Sequence, residues 1–172
     1  MNMAPLITQF RARHRWIVKP SSSVQLLSNT LHDPWLTIPK SLIEFYTSCG
    51  GIENSIYQDE DLPLSIVTPE KFKWVPEEIL GNVLEKVQTN IEEEIFWNWY
   101  IIGRGDTNEY VAIDLAPERL EKCYFFNFYL LGQKNTMPLV ANSLEELLQV
   151  FLEAVEIGEA WDWHKLGLGY AC

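Results

Sequence analysis

Phe96-Trp97-Asn98-Trp99-Tyr100-Ile101-Ile102 runs into Gly103-Arg104-Gly105-Asp106-Thr107-Asn108, and the chain continues as Glu109-Tyr110-Val111-Ala112-Ile113-Asp114-Leu115. Two aromatic and β-branched runs around a Gly/Asp/Asn turn predict an antiparallel hairpin. In the second arm Val111, Ile113 and Leu115 alternate with Tyr110, Ala112 and Asp114, the period of two expected where one face is buried. Trp97 and Trp99 would then share a strand face. They either stack a ligand there or pack under a helix, which is the simpler reading. Cys123 to Leu131 predicts a third strand covered on both faces, Leu139-Val140-Ala141 a short fourth, and Leu62 to Val67 another upstream.

Helical patterns flank these strands. Thr37-Ile38-Pro39 opens one, because the amide that proline lacks would be unpaired there anyway. Leu42, Ile43, Tyr46 and Cys49 follow at helical spacing, and Gly50-Gly51 reads as a stop that offers left-handed backbone. Upstream, Ser21 to Ser23 offer caps for a short helix from Val24 to Leu31, which His32-Asp33-Pro34-Trp35 breaks. Thr68-Pro69-Glu70 and Pro76-Glu77-Glu78 read as further starts, the latter leading to an amphipathic run from Ile79 to Ile91. Ser143-Leu144-Glu145-Glu146 is a capping box, with the serine capping and Glu146 reaching back to the cap amide. The apolar stripe of Leu144, Leu147, Leu148, Phe151, Leu152 and Val155 then predicts a helix over 144–157. Helices first, a meandering sheet in the middle and a helix last make an α+β domain with a mainly antiparallel central sheet of about four to six strands. The expected division is a basic N-terminal arm (1–23), the domain (24–157) and a Trp/Gly-rich tail (158–172) whose indoles pack back.

The 172 residues, 47% hydrophobic and 22% charged, suit one globular domain and exclude a disordered or fibrous chain. Thirteen Lys and Arg against 24 Asp and Glu leave a formal charge of −11. A field of that sign repels phosphate backbones and anionic lipid, so neither nucleic acid nor membrane is an expected partner, and a basic one is. The charge is uneven: residues 1–32 hold Arg11, Arg13, Arg15 and Lys19 and no acid. The first reading of that segment is a frayed, solvated arm; the second is a docking arm for an acidic surface, this protein's own included. Cys49, Cys123 and Cys172 have neither metal-ligand spacing nor an even count for disulfides. No secretory signal and no run long enough to span a membrane occur, so a reducing cytoplasm is the expected compartment.

Little in the chain points to catalysis. The histidines are His14, His32 and His164. His32 beside Asp33 would make an oriented base, but adjacent residues rarely present both groups to one substrate. Cys49 on an apolar helical stripe reads as a buried structural thiol. Gly103-Arg104-Gly105 lacks the third glycine and following helix of a phosphate loop, and Arg104-Gly105-Asp106 reads as a turn. Asp59-Glu60-Asp61 and Glu92-Glu93-Glu94 are the two acid runs, and neither has the spacing of a calcium loop. They are solvated faces, or a surface for a basic partner, or oxygen ligands for a hard cation.

The order of these motifs resembles the SUKH superfamily, which includes fungal cell-wall-synthesis regulators and many bacterial immunity proteins. Ile38-Pro39-Lys40-Ser41-Leu42-Ile43-Glu44-Phe45-Tyr46, closing in Cys49-Gly50-Gly51, is similar to the family's "Leu-Pro, helix, Asn-Gly-Gly" opening, with Cys49 in place of Asn. Ile101-Ile102-Gly103 through Tyr110 to Leu115 resembles its central hairpin, and Ser143-Leu144-Glu145-Glu146-Leu147-Leu148 its closing helix. The resemblance implies an α+β fold without enzymatic activity, catalytic residue, cofactor or metal. In bacterial members it implies binding and neutralising a cognate toxin, often a nuclease.

Charge and resemblance together give the functional expectation. A nuclease must hold nucleic acid with basic groups, so an acidic body is a plausible mimic and a fast binder. The expected role is a non-enzymatic immunity protein that occludes the site of a basic, nuclease-type toxin. Asp59, Glu60, Asp61, Glu92, Glu93 and Glu94 are the expected contact residues. The alternative is a regulatory scaffold or adaptor with several weak partners.

Overall fold

The computed structural model describes residues 3–14, 16–54, 65–81, 94–105, 108–157 and 168–170, with side chains up to 153 in the last helix. In chain order these form α1 (Ala4–Ala12), β1 (Trp16–Val18), α2 (Gln25–Asn29), α3 (Lys40–Ser48), β2 (Ile52–Asn54), β3 (Ser65–Ile66) and α4 (Val75–Leu80). Then follow β4 (Trp99–Arg104), β5 (Glu109–Asp114), β6 (Cys123–Asn127), β7 (Leu139–Ala141) and α5 (Leu144–Ile157). The strands pair in sequence order, every neighbour antiparallel, as one open α+β meander.

Among the described residues the strands number seven, one above the expected range. Those without a sequence signal are β1 and β2, each three residues long and too short to show a period of two. The central hairpin is β4–β5, with Trp99 opposite Asp114 and Arg104 opposite Tyr110, and a register shift between Ile101 and Gly103. Its first arm begins later than expected, because Ile95–Asn98 form a 3-10 turn. Trp97 therefore lies in a turn while Trp99 lies in the strand, and the two do not share a strand face. β6 ends at Asn127, where Phe128–Leu130 turn away.

Both faces of the central strands are buried, not one. Tyr100, Ile102, Val111, Ile113, Cys123 and Phe125 join the main core with residues of α1, α3 and α5. Trp99, Ile101, Ala112, Tyr124 and Phe126 form a second, smaller core with Val75 of α4, Phe96 and Met137. That second layer makes Asp114 wholly buried. It accepts hydrogen bonds from Trp99 Nε1 (3.0 Å), the Ala116 amide (2.8 Å) and Arg119 Nε (2.7 Å), which meets the need of a buried carboxylate for partners.

The solvated-arm reading of the N-terminal segment does not hold. Met3, Leu6, Ile7 and Phe10 bury one stripe of α1, Trp16 is buried beside them, and all five belong to the main core. The bases dock this segment on the protein itself. Arg11 donates to the Ser48 carbonyl at the end of α3, Arg13 donates to the Leu152 carbonyl of α5, and Lys19 pairs with Glu53 at 2.7 Å. A cation at a helix C-terminus also complements the helix dipole.

α3 and α5 lie where their patterns place them. α3 ends at Cys49 in extended backbone, so Gly50 and Gly51 do not supply a left-handed cap there. Gly50 is glycine for space: a Cβ would run into the Pro20 carbonyl oxygen and come within 2.6 Å of Ser22 Oγ. Gly51, at φ +133°, carries the unusual backbone one residue later. At α5 the Ser143 hydroxyl accepts from the Glu146 amide at 3.1 Å, as expected. Glu146 reaches one residue further back than the capping box predicts, to the Asn142 amide at 2.7 Å. Leu168 and Gly169 return to pair with Leu139 of β7. The predicted helix beyond Gly81 and the indoles of Trp161 and Trp163 lie outside the described residues. No helix among those described is long and apolar enough to cross a membrane.

Candidate functional site

The segment before α4 runs antiparallel beside the start of β4: Trp74 bridges to Tyr100, and the Ile101 amide donates to the Lys73 carbonyl at 2.9 Å. That pairing collects aromatic rings at one place on the surface. The His32 imidazole lies 4.2 Å from the Trp74 ring, nearly parallel to it at 13°, and meets Trp97 edge-on at 5.4 Å. Trp74 meets Trp97 edge-on at 4.7 Å, and its Nε1 donates to the Trp97 carbonyl at 2.6 Å. The Tyr100 hydroxyl accepts the His32 backbone N–H at 2.9 Å and lies 2.8 Å from Nδ1. Nε2 is buried and has no hydrogen-bond partner among the described residues.

These contacts make His32 a packed, neutral ring and not an oriented base. Burial holds its pKa below the ordinary value, and the Asp33 charge offsets this only in part. The Tyr100 hydroxyl is pushed up to about 12, mainly by burial, with the His32 amide opposing and Asp33 and Glu77 adding. Asp33 does not orient the imidazole; its Oδ1 accepts from the Trp35 amide at 2.9 Å. Cys49 is a core thiol that burial pushes up to about 11, far from the range of an activated nucleophile. Among the described residues no three His, Cys, Asp or Glu side chains gather in a way that would hold a metal ion.

The loop from Leu31 to Ile38 carries the outward part of this region. Leu31, Leu36 and Ile38 pack partly into the main core, and the Leu36 amide closes a turn on the Asp33 carbonyl at 3.2 Å. Trp35 between them points the other way and is 88% exposed, against a fully buried Trp99. Glu77 and Glu78 at the start of α4 are exposed, and Glu78 pairs with Arg104 at 2.6 Å. Glu94 is exposed too, and its carbonyl accepts the Trp97 amide at 3.0 Å. The arrangement suits recognition by aromatic and acidic groups.

Of the acidic residues singled out from sequence, Glu94 lies beside this aromatic cluster. Asp59, Glu60, Asp61, Glu92 and Glu93 lie outside the described residues. Trp35 and Trp74 are not among the residues that the sequence marks as candidates. For Trp35 the available signal was its setting, an indole in a proline-broken polar stretch with no apolar period to bury it. For Trp74 there was none, since its ring contacts come from segments 23 and 42 residues away.

A Bacillus subtilis (strain 168) protein named immunity protein YokJ is 34% identical to this chain over 126 residues, which are 73% of this chain and 70% of that protein. Residues 36–150 match the SMI1/KNR4 family (SUKH-1), a span running from the end of the Trp35 loop through the whole β2–β7 meander and into α5. With the strand order and the α3 and α5 positions already described, that match places the chain in the SMI1/KNR4 family (SUKH-1).

Proposed function

We propose that the chain is an immunity protein: it binds a cognate toxin and covers the toxin's site, with no chemistry, metal or cofactor of its own. The observation that carries this reading is the relation to immunity protein YokJ over most of both chains. The formal charge of −11 supports a basic toxin, a nuclease type among them, since a protein that grips nucleic acid presents cations to it. Complementary fields of this kind raise the rate of encounter more than they raise affinity. Asp59, Glu60, Asp61, Glu92, Glu93 and Glu94 are proposed contributors to the acidic contact, and the cytoplasm is the proposed meeting place.

The test is growth of a host that expresses the toxin-like domain of the neighbouring open reading frame, with and without this chain. Rescue, with a stable complex of the two proteins, supports the reading. Toxicity without rescue refutes it and moves the chain toward a regulatory adaptor with several weaker partners. Replacing both acid runs by lysine should slow association at low salt; unchanged kinetics would remove the electrostatic part.

A further inference from the structure

We propose that Trp35, with the Asp33 carboxylate beside it, is the seat for a basic protein partner, with an arginine or lysine side chain of that partner lying on the indole. This rests on the toxin-binding reading and names the surface it uses.

Three observations converge on this place. Trp35 is 88% exposed, whereas Trp16 and Trp99 are buried and Trp74 and Trp97 are half-buried in ring contacts. Its exposure is built in and does not come from a loose loop. Leu31, Leu36 and Ile38 anchor the segment in the core, His32 is tied to Tyr100 through amide and imidazole, and Asp33 closes both an Asx turn and a backbone turn around Trp35. A side chain presented on a preset backbone loses little freedom on binding, which favours its use as an anchor.

The chemistry of the occupant comes from charge. The Asp33 carboxylate accepts the Trp35 amide at 2.9 Å, which sets a negative charge beside the residue that carries the indole, and Glu94 opens the turn that carries Trp97. Lys71 and Lys73 sit on the segment leading into α4, and Arg104 is paired with Glu78. A cation over an indole, held by a nearby carboxylate, is a pairing for which Trp is the best ring. A second copy of this chain is a poor occupant, because it would bring one body of charge −11 against another.

The test uses the full chain and the toxin-like domain of the neighbouring open reading frame in a binding-kinetics assay at low and high salt. Trp35→Ala removes an exposed group, so its urea midpoint should match wild type while Kd rises by about 30-fold or more, chiefly through faster dissociation. Asp33→Asn keeps an acceptor for the Trp35 amide. With its charge removed, the variant should associate more slowly at low salt and converge on wild type at high salt. Tight wild-type binding that Trp35→Ala alters by less than about twofold overturns the proposal and leaves the toxin-binding reading standing. No binding by wild type overturns both. A wild-type dimer that Trp35→Ala turns into monomers would make the occupant a second copy and also overturn it.

Discussion

Phe10 sits at the point where the N-terminal helix either belongs to the folded body or does not. Its side chain has no exposed surface, and its ring meets Trp16 edge-on with centroids 5.2 Å apart and planes 80° apart. Truncating a fully buried Phe to Ala costs about 3–5 kcal/mol, from lost transfer energy and the cavity left behind. An edge-to-face aromatic pair accounts for about 0.5–1.5 kcal/mol in such contacts. Against a total of about 5–15 kcal/mol for a domain, Phe10→Ala should remove a large share of the stability. At about 2–4 °C per kcal/mol for a chain of this length, Tm should fall by about 6–20 °C. The assay is urea unfolding followed in parallel by tryptophan fluorescence and circular dichroism, with Gln9→Ala on the exposed side of the same helix as control. The control should stay within about 0.5 kcal/mol of wild type, and both probes should report one transition. A Phe10→Ala loss below about 1 kcal/mol would refute the burial of α1 in a common core. So would a separate early melting of α1 in the unmutated chain.

Gly50→Ala should cost about 1–3 kcal/mol, since its Cβ would press on the Pro20 carbonyl oxygen while Lys19 and Gly51 hold the two segments together by hydrogen bonds; a thermal melt unchanged within 1 °C or so would show that Pro20 yields freely. His32 carries a depressed pKa in the folded state, so the unfolded chain binds its proton first as pH falls from about 6.5, and stability from this group is present above that value and lost below it. Urea midpoints at pH 7.5 and 5.5 should therefore drop more for wild type than for His32→Phe, which keeps a ring against Trp74 and removes the titration; equal drops would show that His32 does not contribute.

The two best-marked helices were legible in the sequence because their signals are local. A proline start and an apolar stripe mark α3, and a serine–glutamate cap and a three-turn stripe mark α5; both lie where those residues put them. The hairpin was legible for the same reason, with β5 over Glu109–Asp114. Its first arm was less so, because Phe96 to Asn98 are as β-prone as the strand they precede. Their 3-10 turn is set by tertiary contacts: the Trp97 carbonyl holds the Trp74 indole, and Arg119 reaches the Ile95 carbonyl. The aromatic cluster of the candidate site was not legible, because its members come from three separated segments.

Period, caps and charge reside in neighbouring residues, and so the α+β class, the hairpin, the two principal helices and the acidic surface follow from the residue order alone. Burial does not reside there. Arg11, Arg13 and Lys19 gave the N-terminal segment the look of a solvated arm, yet the stripe from Met3 to Phe10 is buried because α3, α5 and the sheet leave an apolar face for it to cover. Trp35 and Trp99 are the same residue type in one chain, one held out to solvent and the other sealed between Tyr124 and Asp114. Only the folding of distant segments onto one another decides which indole meets water, because the energy of burying an indole depends on the partners that come to cover it and not on its sequence neighbours.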